Sequence, residues 1–246
     1  MTFAVLGRDA RTGQIGGALA TASIDAGRVS PWARGVVPAY TETGAIAMAH
    51  AAAAPLLAHR ALDVLEQGRP LAEIEGELRA IDPNFEWRQL SVVTAKGELW
   101  VRTGETCYPH AGHAVGDDWI ASGNALSGPA VVEAMAAAME SGRDLELADR
   151  LLTALEAGRA AGGQGNPETG ESLPELSAVL YVVDGKSPMA VSDLRVDYDP
   201  SALERLRLLY EHVKPLDWYW PVMWERPWDL LDEALERGAF DPSPLE

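Results

Sequence analysis

The first twenty-three residues hold two strand-like apolar runs, "TFAVLG" and "QIGGALATAS", with "RDARTG" between them. The Asp and Gly of that linker suit a tight turn, so a β-hairpin is predicted at the very start of the chain. Past the loop "SPWARG", the short runs "VVPAY" and "AIAMA" have the length and flanking glycines of buried strands. The period then changes. Leu57, Ala61, Val64 and Leu65 fall on one helical face before Gly68, and Leu71, Ile74, Leu78 and Ile81 on another between Pro70 and Pro83, which predicts a helical pair. "WRQLSVVTA" and "ELWVRTG", joined by Lys96-Gly97, form a second hairpin, and "DDWIASGN" adds a strand. "SGPAVVEAMAAAMESG" and "LELADRLLTALEAG" return to helical spacing. The polar "GGQGNPETGESLPE" reads as a surface loop, "LSAVLYVVDG" and "MAVSDLRVDY" as strands, and a helix follows Asp199-Pro200 with Ser201 and Glu204 placed for a capping box. Strands and helical pairs alternate as blocks, which predicts an α+β fold of two antiparallel sheets with helices outside.

Composition narrows the partners. The 246 residues carry 20 basic and 37 acidic side chains, a formal net charge of −17, which repels phosphate backbones and anionic lipid surfaces and argues against nucleic acid. The longest apolar stretch, "AIAMAHAAAAPLLA", holds a His and a Pro and is shorter than the roughly 20 residues of a membrane span, so no membrane partner is expected. No secretion-like segment opens the chain and Cys107 is its one cysteine, which makes cytoplasm the expected compartment. From Lys214 the character changes: "KPLDWYWPVMWERPWDLLDEALERG" holds Trp218, Trp220, Trp224 and Trp228, half of the eight tryptophans. Residues 214–246 are therefore separated from a main domain of 1–213 and read as an extended arm plus a short helix, suited to packing or to a homo-oligomeric contact, a dimer in the simplest case.

The order of "SPWARG", "HAGH", "SGNALSGPAVVEAM", "RLLTALEAGRAAGG" and "DLRVDYDP" resembles an uncharacterised bacterial family, domain of unknown function 1028, over roughly Thr2 to Val213. The resemblance implies the fold of N-terminal-nucleophile (Ntn) hydrolases, a four-layer αββα sandwich. The chain departs from the family pattern at Ala4, where relatives often have Ser. It departs again in "GGQGNPETGESLPELS", which keeps Ser177 but not the family's Asp and Arg.

The chemistry that the resemblance implies centres on Thr2. In an Ntn hydrolase the first residue's side chain attacks an amide carbonyl and its own α-amine, with a pKa near ~8, takes the proton. Thr2 becomes the first residue when Met1 is removed, and the small side chain of Thr permits that removal. Gly123 and Asn124, at a strand end before a helix, are expected to help bind the oxyanion. Trp32 and Arg34 offer an aromatic plane and a carboxylate-binding fork. With His113 and Ser177 they are assigned to substrate binding. Cys107, His110, His113, Asp117 and Asp118 lie within twelve residues, but Cys-x2-His-x2-His without a second cluster falls short of a metal site, and neither metal nor cofactor is expected. The expected function is hydrolysis of an amide bond in a small molecule or peptide. The alternatives are a catalytically silent Ntn-like scaffold that keeps Met1 and binds a ligand or partner, and, behind both, a metal-dependent hydrolase around His110 and His113.

Overall fold

The computed structural model describes residues 1–23, 44–52, 54–184 and 190–239. The predicted strand at "VVPAY" and the loop holding Trp32 and Arg34 lie outside the described residues. Helix and antiparallel sheet are mixed throughout. β1 (Thr2–Asp9) and β2 (Gln14–Thr21) form the expected hairpin, whose turn glycine Gly13 takes a left-handed φ of 80°. β7 (Trp119–Asn124) and β6 (Gly112–Val115) continue the sheet beyond β1. β10 (Ser177–Val183) and β11 (Ala190–Val196) continue it beyond β2, giving the order β11-β10-β2-β1-β7-β6. A second sheet has the order β3-β4-β5, from Ala45–His50, Gln89–Thr94 and Leu99–Thr103.

Three apolar clusters hold these elements together. α3 (Ala130–Ser141), α4 (Leu147–Ala160) and α5 (Ala202–Val213) set Met135, Met139, Leu151, Leu155 and Leu206 against Phe3, Val5 and Leu180 of the larger sheet. The opposite face of that sheet gives Leu6, Ile15, Leu19 and Ile120 to a second cluster with Ile46, Met48 and Val93 of the smaller sheet. α1 (Pro55–Glu66) and α2 (Ile74–Ile81) close the third cluster over Ala47, Leu90 and Val92. Covering on both faces explains why β1, β3, β4, β7 and β10 read as near-continuous apolar runs rather than alternating ones. α4 is tied to the β6–β7 turn by Arg150, 3% exposed, which holds Asp118 bidentately at 3.1 and 3.0 Å and donates to the Met139 carbonyl.

Three local expectations change, and one strand is added. β6 had no strand signal because its residues alternate between half-buried and exposed at a sheet edge over only four positions. The "GGQGNPETGESLPE" loop is not wholly on the surface: it forms β8 (Gln164–Gly165) paired with β9 (Ser172–Leu173), and Gln164 and Glu175 are buried. No capping box forms at α5; Ser201 donates its backbone N–H to Asp199 instead, and Glu204 pairs with Arg159. The arm of the tail is not extended, because after a 3₁₀ turn at Lys214–Leu216 it forms α6 (Tyr219–Glu225), while the expected short helix is present after it as α7 (Leu230–Glu236). Pro221 falls in the first turn of α6, where a missing N–H breaks no helical bond.

The spacing of the two sheets rests on Gly17, where a Cβ would come 2.4 Å from Leu6 Cδ2 and 3.0 Å from Met48 Cε. Gly17→Ala is expected to cost about 1–3 kcal/mol of stability through overpacking. Gly76→Ala in α2, where a Cβ meets nothing within 4 Å, should instead gain about 0.5–1 kcal/mol. Urea unfolding of both variants checks the pair.

Candidate active site: a buried polar end between the sheets

The apolar filling between the sheets stops at one end. Across the larger sheet, Ser177, Thr21, Thr2 and Asn124 lie in one register row, and across the smaller sheet His50, Gln89 and Thr103 lie in another. The side-chain alternation of β1 and β7 turns Thr2, Ser122 and Asn124 to the same face as Leu6 and Ile120, so the two rows meet between the sheets. Thr2, Thr21, His50, Gln89, Ser122, Asn124 and Ser177 are all buried.

The hydrogen bonds among them can be assigned from one end. Gln89 Nε2 lies 2.9 Å from the Gly112 carbonyl and 3.0 Å from the Gly123 carbonyl. Two carbonyl acceptors require an NH2 group there, so Gln89 Oε1 faces the other way and accepts from Asn124 Nδ2 at 3.3 Å. The same Nδ2 then donates to His50 Nδ1 at 3.2 Å, which leaves that nitrogen unprotonated. Neutral His50 therefore carries its proton on Nε2 and donates to Ser122 Oγ at 3.0 Å. The arrangement looks like a Ser-His-Asn triad but has the wrong tautomer: His50 gives Ser122 a proton instead of taking one, and does not activate it as a nucleophile. Burial, with a smaller push from the nearby positive amine of Met1, drives the His50 pKa from 6.5 down to about 3, so the ring is neutral at physiological pH. Thr103 Oγ1, 2.8 Å from Gln89 Nε2, shares the two hydrogens of that group with the Gly112 and Gly123 carbonyls, and its own hydroxyl hydrogen is left for His113 Nδ1 at 2.8 Å.

Thr2 sits at the rim of this cluster, 5% exposed. Its hydroxyl donates to Thr21 Oγ1 at 3.1 Å, and Thr21 in turn donates to the Met1 carbonyl at 2.7 Å. Burial lowers the Met1 amine below its usual pKa of 8.0, which favours an uncharged amine at this end of the sheet. The backbone is strained at the same place. Among the described residues, three of the four non-glycine positions with left-handed φ are Ala51 at 57° and Ala52 at 50°, directly after His50, and Ala125 at 50°, directly after Asn124. Each costs on the order of 1–3 kcal/mol and persists where surrounding contacts fix it.

The predicted residues distribute unevenly around this centre. Thr2 and Asn124 are cross-strand partners. Gly123 contributes its carbonyl to Gln89 and lacks a side chain because a Cβ would come 2.9 Å from Leu126. His113 joins the cluster from the surface through Thr103 and lines an open pocket of about 360 Å³ with His110, Leu126 and Glu133. Ser177 shares the row of Thr2 but gives its hydroxyl to the Ser23 carbonyl at 2.8 Å. Trp32 and Arg34 lie outside the described residues. The Cys107–Asp118 cluster does not assemble: Asp118 belongs to Arg150, Cys107 donates to the Arg88 carbonyl, and no three His, Cys, Asp or Glu side chains converge among the described residues. Burial also raises the Cys107 pKa, away from thiolate. Sequence reasoning missed His50, Gln89, Thr103, Thr21 and Ser122. Their only signal was the appearance of polar residues at the ends of apolar strands, in "MAH", "RQLS" and "VRT".

A mixed fold of antiparallel sheets enclosing a buried polar end is thus the class that the geometry defines. The chain belongs to the Family of unknown function (DUF1028), whose model matches residues 2–206. It is similar to the crystal structure of protein SPO2555 from Silicibacter pomeroyi, of the same family, with 28% identity and a TM-score of 0.70 over 87% of this chain and 89% of that one. No curated protein matches it significantly.

The buried neutral histidine has a consequence for stability. Between about pH 3 and 6.5 the unfolded chain binds a proton at this residue and the folded protein does not, so stability falls as the pH drops through that window. Urea midpoints from pH 7 to 4 should decline more steeply for the wild type than for His50→Gln, by up to about 1.4 kcal/mol per pH unit below 6. Equal slopes would place a proton on His50 in the folded state.

Proposed function

We propose that the chain is an Ntn-type amidohydrolase with the four-layer αββα arrangement of that fold, acting on an amide bond in a small molecule or peptide, with Thr2 as nucleophile. One observation carries the reading: the hydroxyl of the residue that follows Met1 lies at the start of an interior strand, inside the buried polar end where both strained turns begin.

After Met1 leaves, the free Thr2 amine accepts the hydroxyl proton as Oγ1 bonds to the amide carbonyl carbon. The carbonyl oxygen becomes an oxyanion. Both amide hydrogens of the Asn124 side chain are already given to His50 and Gln89, so oxyanion stabilisation falls to the backbone of the Gly123-Asn124-Ala125 turn. Collapse breaks the C–N bond, and the leaving amine takes the proton from the Thr2 ammonium. Water, deprotonated by the same amine, then attacks the ester carbon, and Thr2 Oγ1 leaves and regains its hydrogen. Burial lowers the Met1 amine below its usual pKa, and the same burial one residue further in favours a neutral Thr2 amine able to act as base. Ser177 and His113 are proposed as substrate contacts near this centre, and Trp32 and Arg34 are proposed as substrate contacts from the family motif alone.

A second reading has its own support. The Thr21 hydroxyl bonded to the Met1 carbonyl seats Met1 well, as in a silent scaffold that keeps it and binds a ligand or partner. An electrophilic β-lactone separates the two. Met1-free protein should form an ester adduct mapped by mass spectrometry to Thr2 and lost in Thr2→Ala; equal labelling of Thr2→Ala would refute the nucleophile.

For residues 214–246 we propose an appended unit that mediates homodimer contact. α6 and α7 bury Val222 and Ala234, while Trp220, Trp224 and Trp228 are 52%, 67% and 76% exposed and Leu231 and Leu235 more than 60%. At about 250 Å² per tryptophan, the exposed parts of the three come to roughly 500 Å², over half of the roughly 800 Å² that each partner of a standard interface buries. No helix among the described residues is long and apolar enough to cross a membrane, so a bilayer span is not what this face serves. Light scattering at micromolar concentration should give a dimer for the wild type and a monomer for Trp224→Glu; a monomeric wild type refutes the contact.

A further inference from the structure

The buried polar end contains one acceptor that nothing satisfies. Asn124 is fully buried, and its Oδ1 has no hydrogen-bond partner. A buried carbonyl oxygen left in that state costs about 1–3 kcal/mol. Rotating the amide by half a turn does not remove the problem. The Gly112 and Gly123 carbonyls hold Gln89 in one orientation, Gln89 Oε1 then demands a donor from Asn124, and Nδ2 must stay where it is. Oδ1 is thus fixed as an acceptor awaiting a donor.

The donors in the same register row, and His50, are spent elsewhere, and the one unpartnered hydroxyl on this face among the described residues, Ser91 Oγ, lies two residues along β4 opposite Met48 and Val101. The Thr2 hydroxyl goes to Thr21, the Thr21 hydroxyl to the Met1 carbonyl, and His50 Nε2–H to Ser122. Thr2 itself is the cross-strand partner of Asn124 on β1, on the same face of the sheet, where paired Cβ atoms lie about 4.5–5.5 Å apart. Cleavage of the Met1–Thr2 peptide bond by water turns an amide nitrogen with one hydrogen into an amine with two, or three when protonated. That reaction creates new donors directly across the strand from the orphaned oxygen.

We propose that Asn124 Oδ1 is the acceptor that holds the α-amine of Thr2 once Met1 has left, an inference that rests on the Thr2 reading. Asn124 is then a positioning residue. It orients the amine beside its own hydroxyl and stabilises the ammonium that forms when the hydroxyl proton is transferred. Gln89 acts one step back, by fixing which end of Asn124 faces Thr2. His50, the titratable group facing this end from the smaller sheet, stays neutral and leaves the new ammonium without a second positive charge beside it.

NMR titration of the Thr2 amine in Met1-free full-length protein tests the contact without any substrate. Asn124→Asp should raise the amine pKa by about one unit or more, a tenfold gain in proton affinity, and Asn124→Leu should lower it. Ser177→Asp puts the same charge two strands away in the same row, roughly 10 Å off, and should shift it far less. A shift in Asn124→Asp no larger than in Ser177→Asp, or no change in Asn124→Leu, would overturn the proposal. Should the variants fail to fold, a crystal structure of the Met1-free wild type decides. Thr2 N within about 3.2 Å of Asn124 Oδ1 upholds the contact, and an amine bonded elsewhere refutes it. The expected pKa pattern together with failed β-lactone labelling would uphold the contact and overturn the nucleophile reading alone.

Discussion

Two backbone carbonyls, those of Gly112 and Gly123, settle the chemistry of the buried cluster. Because both need donors, the Gln89 amide can face only one way, and each neighbour follows in turn: Asn124 donates, His50 accepts on Nδ1, and Ser122 accepts from Nε2. Sheet geometry thus decides which nitrogen of His50 carries the proton and that it is not a base for Ser122, while burial keeps the ring neutral. The same chain of assignments separates the two hydroxyls of interest. Ser122 is held as an acceptor of the histidine proton, while the Thr2 hydroxyl is bonded to Thr21 and not to the histidine, so the proposed nucleophile would take its base from its own amine.

This arrangement is expensive to build. Polar side chains replace apolar filling at the end of the space between two sheets, one carbonyl oxygen is orphaned, and the chain leaves His50 and Asn124 through left-handed alanines. Hydrophobic clusters on both outer faces and between the sheets hold it in place. Interiors that are close-packed resist adjustment, so such strain persists where a rigid frame surrounds it. The concentration of cost at one end, around the start of β1, is the physical reason to look for function there.

The frame was legible in the sequence because its signals are local. The opening hairpin follows from a turn motif between apolar runs, and the helical pairs from the spacing of residues such as Leu57, Ala61, Leu151 and Leu155. β6 and the Gln164–Leu173 pairing were not legible, since each rests on a partner strand and not on a pattern of its own. Of the tail helices, α7 was legible in "WDLLDEALERG", while the prolines before it made α6 read as extended chain. At the site, Thr2 and Asn124 were found through a motif and a resemblance, but the row His50, Gln89 and Thr103 comes from three strands whose register no single stretch encodes. Asn124 was expected to serve the oxyanion, and the hydrogen-bond directions give its amide hydrogens to other partners and leave its oxygen unmet.

The central claim is that this end of the sheet is an active site opened by the loss of one residue. The mass of the intact protein purified from its native host tests it most directly. The account predicts a chain lighter by one methionine and beginning at Thr2. A chain that retains Met1 throughout would contradict it.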